Sequence, residues 1–224
     1  MQNQICIVST KKLSERQKQI LLIANFSVFD QDFISIQNKD FDIETTNDYL
    51  IFTSQNAVES VLRNKKLVEI KSRKCFCVGE KTKALLEENG FEVIEYSAYA
   101  AELALIICSQ YSKNSFTFFC GNIRRDFLPD ALRLVQITLD EIEVYETVLT
   151  THEIPFIPNG ILFFSPSAVE SYLQENKIDD KICFCIGNTT AEALKYITTN
   201  RMIANQPTME SVVMKCVEFY SNRI

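Results

Sequence analysis

The chain has 224 residues, room for one large domain or two small ones, and its 46% hydrophobic and 11% aromatic content suits packed cores rather than disorder. A net charge of −6 weighs against a general nucleic-acid binder, so any anion site has to be made locally, from turns and helix ends. No run of 18 apolar residues occurs, and Met1-Gln-Asn-Gln4 lacks the charged and apolar start of a secretion signal, which predicts a soluble, cytoplasmic protein without membrane contact.

In chain order, Ile5–Val8 reads as a short apolar strand, followed by Ser9-Thr-Lys-Lys12 and a helical pattern through Ile23. Phe26–Ile36 predicts a second strand, and Asn38–Ile43 an extended crossing segment. Then comes Leu50-Ile-Phe-Thr-Ser-Gln-Asn-Ala-Val-Glu-Ser-Val-Leu62, followed by Cys75-Phe-Cys-Val-Gly-Glu-Lys-Thr82. Gly90 reads as a left-handed helix stop, Phe91–Ile94 as a strand and Ala101–Cys108 as a helix apolar nearly all round. Phe116–Cys120 predicts a strand, Gly121-Asn-Ile-Arg-Arg125 a turn, and a helix runs on through Leu134. Val135–Leu149 reads as extended, with its acidic residues Asp140, Glu141 and Glu143 on a solvent face. The sole histidine, His152, falls in a proline-containing connection and reads as solvated.

The block at 50–62 returns as Ile161-Leu-Phe-Phe-Ser-Pro-Ser-Ala-Val-Glu-Ser-Tyr-Leu173, 111 positions later, and Cys183-Phe-Cys-Ile-Gly-Asn-Thr-Thr190 repeats 75–82 at an offset of 108. By pattern more than identity, 118–149 follows 6–37 at an offset of 112. A half-chain period is too long for a solenoid and predicts two similar lobes. Strands alternating with helices imply parallel sheets wound right-handedly. The fold class is therefore α/β, with two similar lobes, each a parallel sheet with helices on both faces. The duplication alone leaves open which quarter of the chain packs with which.

Eight cysteines suggest neither disulfides nor metal. No C-x-x-C occurs. Cys75/Cys77 and Cys183/Cys185 fall in apolar strands, where a period of two puts each pair on one face and Phe76 or Phe184 on the other. Reduced, buried thiols are expected and no metal site. The five glycines form neither a dinucleotide fingerprint nor a phosphate loop.

The chemistry concentrates in the strand-to-helix turns Thr53–Asn56, Gly79–Thr82, Gly121–Arg124, Ser165–Ser167 and Gly187–Thr190. Helix starts carry free amide hydrogens and partial positive charge, which favour carboxylate or phosphate. Capping alone explains any one of them: Ser165 before Pro166 is an N-cap, and Ser167–Glu170 and Asn56–Glu59 read as capping boxes. Paired sets in two lobes, facing a common cleft, point beyond capping to ligand binding. Arg124 or Arg125 is a candidate anion partner, and Tyr145 a candidate proton donor.

Taken together, Phe52-Thr-Ser-Gln-Asn-Ala-Val58, Val78-Gly-Glu-Lys-Thr82, Gly121-Asn-Ile-Arg-Arg-Asp-Phe-Leu128, Val144-Tyr-Glu-Thr147, Phe164-Ser-Pro-Ser-Ala-Val169 and Ile186-Gly-Asn-Thr-Thr-Ala191 resemble the uroporphyrinogen-III synthase family over nearly the full chain. The resemblance implies lobes of 1–37 with 148–224 and of 38–147, joined by a two-stranded β linker near 37–43 and 143–149. It implies cofactor-free cyclisation of hydroxymethylbilane to uroporphyrinogen III, with ring D inverted and water lost. It also implies a monomer, with transient contact to the preceding pathway enzyme. Carried over by position, Tyr145 matches the proposed proton donor, and Thr82, Ser165, Ser167, Thr189 and Thr190 match residues lining the cleft. Ser54, Gly121 and Arg124 are further substrate-binding candidates. An arginine–proline pair common after the family's first strand is Ser9-Thr-Lys-Lys12 here, which puts an anion contact from that turn in doubt. The competing reading is a two-lobe module that closes on a small anion without chemistry.

Overall fold

The computed structural model describes residues 4–43, 47–124 and 126–222. The chain opens with β1 (Ile5–Ser9), α1 (Glu15–Ile23) and β2 (Phe26–Asp30). It continues through β3 (Ile34–Asn38), β4 (Tyr49–Phe52), α2 (Gln55–Val61), α3 (Leu67–Lys71), β5 (Lys74–Val78), α4 (Glu80–Glu88), β6 (Val93–Ser97), α5 (Ala100–Gln110), β7 (Phe116–Gly121), α6 (Phe127–Leu134) and β8 (Leu139–Leu149). The final stretch is β9 (Gly160–Phe163), α7 (Pro166–Glu175), β10 (Ile182–Cys185), α8 (Asn188–Ala193), β11 (Arg201–Ile203) and α9 (Met209–Ser221). Two compact units result, one of residues 1–35 and 148–224, the other of 36–147. No helix among the described residues is long and apolar enough to cross a membrane.

The first unit holds a five-stranded sheet ordered β11-β10-β9-β1-β2, parallel throughout. The N-terminal strands thus share a sheet with the C-terminal ones, and β1 sits between β2 and β9. The second unit holds a six-stranded sheet ordered β3-β8-β7-β4-β5-β6, in which β8 through β6 are parallel. β3 and β8 carry the chain between the units. Lys39 donates its amide to the Val144 carbonyl at 3.0 Å, and Thr150 donates to Phe33 at 2.9 Å. As one segment advances from 33 to 39 the other retreats from 150 to 144, so this linking ladder is antiparallel. The expected α/β class is what the chain forms, with the first sheet parallel throughout and the second parallel from β8 to β6.

The C-x-C strands show how the sheets are covered on both faces. Cys75 and Cys77 pack with Val58, Val61 and Leu86 on one face, while Phe76 packs with Leu103, Ile107 and Phe116 on the other. In the first unit Cys183 and Cys185 join Val169 and Tyr172, and Phe184 joins Val212 and Cys216. All eight cysteines are free, with Cys6 and Cys108 partly exposed and the rest buried. Burial pushes the Cys77, Cys183 and Cys185 thiols up to about 12 and Cys120 to about 11, so they stay protonated and behave as small hydrophobes.

Several local expectations need correction. Phe26–Ile36 is not one strand: the chain leaves β2 at Asp30 and enters β3 at Ile34, in the other sheet. The break is made by the turn after β1, where Gln31 donates to Ser9 at 3.1 Å and Phe33 to Thr10 at 3.1 Å. Val135–Thr138 lies outside β8, after α6. In α5 only Leu103, Ala104 and Ile107 are buried, and Leu105 is exposed. Asn56 and Ser167 are not caps, because each helix begins earlier, at Ser54 and Ser165. The acidic residues of β8 are paired rather than simply solvated: Glu141 with Arg124 and Arg133, Glu143 with Lys39. His152 is half-buried, its ring 5.1 Å from Phe33 and its Nε2 3.1 Å from the Asp32 carbonyl. Gly90 does take the left-handed conformation, with φ of 80°, just after α4.

Candidate active site

Because all the strands of the first sheet, and β8 through β6 of the second, run the same way, their carboxyl ends gather along one edge, the usual place for ligand contacts in such folds. In the second unit this edge carries Ser54 after β4, Gly79 after β5, and Gly121 at the end of β7, level with Tyr145 of β8. In the first unit it carries Thr10 after β1, Ser165 after β9 and Gly187 after β10. Each unit therefore brings its own candidate residues to one edge of its sheet.

Ser54 and Ser165 use their hydroxyl oxygens as caps, accepting from the Asn56 and Ala168 amides, both at 3.1 Å. Each cap satisfies one of several free donors, so the rest of the turn stays open to a ligand. Ser167 lies half-buried in the first turn of α7. The Gly79 and Gly187 starts have no side-chain cap. Gly79 has φ of 89°, a conformation that L side chains resist. Thr82 and Thr190 occupy matching third positions of α4 and α8, and both are buried. The Thr190 Oγ1 atom is buried without a hydrogen-bond partner among the described residues, whereas Thr189 beside it is exposed. An unmet buried hydroxyl costs free energy unless something else completes it.

The turn after β1 is different. The Lys12 amide donates to Asp32 and the Leu13 amide to Asp30, both at 2.9 Å, and Lys18 lies 3.2 Å from Asp30. Thr10 Oγ1 donates to the Leu162 carbonyl at 2.8 Å. The carboxylates of the protein itself already occupy the donors that an external anion would need. Nothing in the residue pattern flagged Asp30 and Asp32, since the pairing crosses 17 and 20 positions.

Tyr145 is buried, only 7% exposed. It lies over Gly121: a Cβ there would come within 2.5 Å of Cε2 and 2.9 Å of the phenol oxygen. Glycine is required here by close approach. The hydroxyl has no hydrogen-bond partner among the described residues, yet is not sealed from solvent. A buried ring with an open hydroxyl is what a positioned proton donor needs. Arg124 is committed to internal anions, with Nη2 on Glu141 and Nε 3.5 Å from Asp126. To grip a substrate it would have to give these up. Arg125 lies outside the described residues. A recess of about 710 Å³, lined by residues including Lys39, Phe41, Arg63 and Lys66, contains none of the candidate residues. Two of its cations are paired, Lys39 with Glu143 and Lys66 with Asp42, so it carries little of the chemistry the edges offer.

Against known proteins, a family model described as uroporphyrinogen-III synthase HemD matches residues 12–214. The porphyrin biosynthesis protein HemD of Ruminiclostridium josui is 25% identical over 196 residues, covering 79% of this chain and 39% of that protein. The chain thus spans about two fifths of the length of this relative. Among solved structures, the uroporphyrinogen-III synthetase of Helicobacter pylori superposes with a TM-score of 0.72 at 20% identity, over 96% of this chain and 99% of that one. A mutant uroporphyrinogen III synthase of Thermus thermophilus gives 0.70 at 11% identity, over 98% and 100%. At such identities the superpositions speak for the fold.

Proposed function

The chain belongs to the uroporphyrinogen-III synthase family, and from that premise we propose that it is the cyclase itself, closing hydroxymethylbilane to uroporphyrinogen III. The observation that carries this reading within the chain is Tyr145, its ring held over Gly121 and its hydroxyl open. In the proposed reaction the phenol gives its proton to the departing hydroxyl of the substrate. The carbon–oxygen bond breaks, water leaves, and an electrophilic methylene remains on the first ring. The already substituted carbon of ring D attacks it, and the spiro intermediate fragments and recloses with ring D inverted. The proton released from ring D on reclosure restores the phenol. Left alone, the linear substrate closes to the uninverted isomer, so the main task is to hold the chain in the less favoured conformation.

The substrate carries carboxylates and no phosphate, which suits helix starts better than deep basic pockets. We assign its carboxylates to the turns bearing Ser54 and Thr82 in one unit and Ser165, Ser167, Thr189 and Thr190 in the other. The functional lobes are taken as 1–37 with 148–224 and 38–147. The protein is read as a cytoplasmic monomer that receives its unstable substrate from the preceding enzyme of the pathway. Incubation with hydroxymethylbilane, followed by chromatographic resolution of the isomers, tests the proposal. Production of the inverted isomer supports it; the symmetric isomer alone removes it and leaves an anion-binding module. Tyr145→Phe is expected to fold normally and turn over more slowly, and unchanged turnover would remove the proton-donor role.

A further inference from the structure

We propose that Asn122 is a positioning residue for Tyr145, extending the β7–β8 ladder with its side chain so that the phenol is aimed over Gly121; this rests on the reading of Tyr145 given above. The ladder is regular up to Cys120, which lies opposite Glu143, but the next pair is Gly121 with Tyr145. Val144 is therefore an extra residue in β8, a bulge. Bulges bend a strand and re-aim the side chains beside them. Immediately afterwards β7 ends at Gly121, so the β8 backbone beyond Tyr145 has no strand there to pair with on this side.

Asn122 takes over at that point. Its Oδ1 accepts the Thr147 amide at 2.8 Å and its Nδ2 donates to the Thr147 carbonyl at 3.3 Å. The side-chain amide thus offers the same donor and acceptor that a strand residue would. Its Oδ1 also accepts the Ile123 amide at 2.8 Å, which holds the carboxamide in one orientation. Tyr145 is pinned on both sides, by the bulge at Val144 before it and by the clamp on Thr147 after it. Gly121 supplies the notch in which the ring then lies. Asparagine is the residue this task requires. Aspartate keeps the two accepted bonds and loses the donated one, and alanine loses all three.

The test compares Asn122→Ala and Asn122→Asp in the wild-type and Tyr145→Phe backgrounds. The readouts are turnover, KM and the ¹⁹F spectrum of protein carrying 3-fluorotyrosine, with the Tyr145 resonance assigned by its loss in Tyr145→Phe. Asn122→Ala is expected to lower kcat about tenfold with little change in KM, the scale set by sub-ångström misplacement of a reacting group. Asn122→Asp is expected to recover part of the loss, the effect is expected to vanish in the Tyr145→Phe background, and the Tyr145 resonance is expected to move or broaden. An unmoved resonance overturns the inference, as does an equal loss of kcat with and without the phenol hydroxyl. If Tyr145→Phe turns over normally, the proton-donor reading falls, and the resonance alone then decides whether Asn122 sets the ring.

Discussion

Replacing Gly121 by alanine is the sharpest probe of the reaction proposed at Tyr145. The position has no positive φ, so the backbone accepts alanine without strain and the perturbation is purely one of space. A Cβ would stand 2.5 Å from Cε2 of Tyr145, whereas ordinary contact begins near 3.4 Å, so the ring has to withdraw by about 0.9 Å. The phenol oxygen, 2.9 Å from the new carbon, moves with it. Forcing one methyl into a packed site costs on the order of 1–3 kcal/mol of stability, less where the obstructing ring can swing away. Displacing a reacting group by roughly 1 Å costs about a hundredfold in rate. Gly121→Ala is therefore expected to stay folded in urea titration while its kcat for bilane closure falls by one to two orders of magnitude, about as far as Tyr145→Phe. The double variant Gly121→Ala/Tyr145→Phe is expected to be no slower than Tyr145→Phe alone. Full turnover by Gly121→Ala, or losses that multiply in the double variant, would refute the argument that this glycine acts by making room for the phenol.

Stability is expected to fall in alkali because of the buried thiols. They remain neutral in the folded chain, with Cys77, Cys183 and Cys185 near 12, while in the unfolded chain they ionise near 9.0. Their stabilisation is whole below pH 9, shrinks by about 1.4 kcal/mol per thiol per pH unit above it, and is gone once pH passes the folded value. Urea midpoints measured between pH 8 and 11 check this, and Cys185→Ala should make the decline shallower. Ser165→Ala removes the cap of α7 and is expected to cost about 1 kcal/mol, largely restored in Ser165→Asp, as read by denaturant titration. Glu141→Gln weakens the bridge between Arg124 and Arg133 and is expected to cost roughly 1 kcal/mol, a loss that shrinks in high salt.

Much of the architecture was legible because it rests on local periodicity. The C-x-C strands declared their two faces through alternation alone, and Gly90 its left-handed stop, since both are properties of a few neighbouring residues. The capping positions were harder. Ser-Pro-Ser offers two starts two residues apart, and the proline, whose fixed φ suits the first helical position, decides for Ser165. Ser54 lies two residues before Asn56, and only the course of the backbone out of β4 selects it. Long-range features were hidden altogether. The split of Phe26–Ile36 depends on hydrogen bonds to Ser9 and Thr10. The occupied turn depends on Asp30 and Asp32, and the orientation of Tyr145 on Gly121 and Asn122, more than twenty positions away. Alternating apolar residues announce a strand without saying which sheet receives it.

The interrupted first unit constrains how the protein emerges from the ribosome. Residues 36–147 are contiguous and have every strand partner they need before synthesis ends, apart from the linking ladder. The opening segment does not: β1 is flanked on one side by β9, which is translated some 150 residues later. Until then Ile7 and Val8, wholly enclosed in the finished protein, have to wait beside β2 with an unpaired edge. A nascent chain extended beyond residue 150 by the length that the exit tunnel hides should thus resist protease across 36–147 while residues 5–35 are cut. Residues 5–35 are made before 36–147 yet find their place after them.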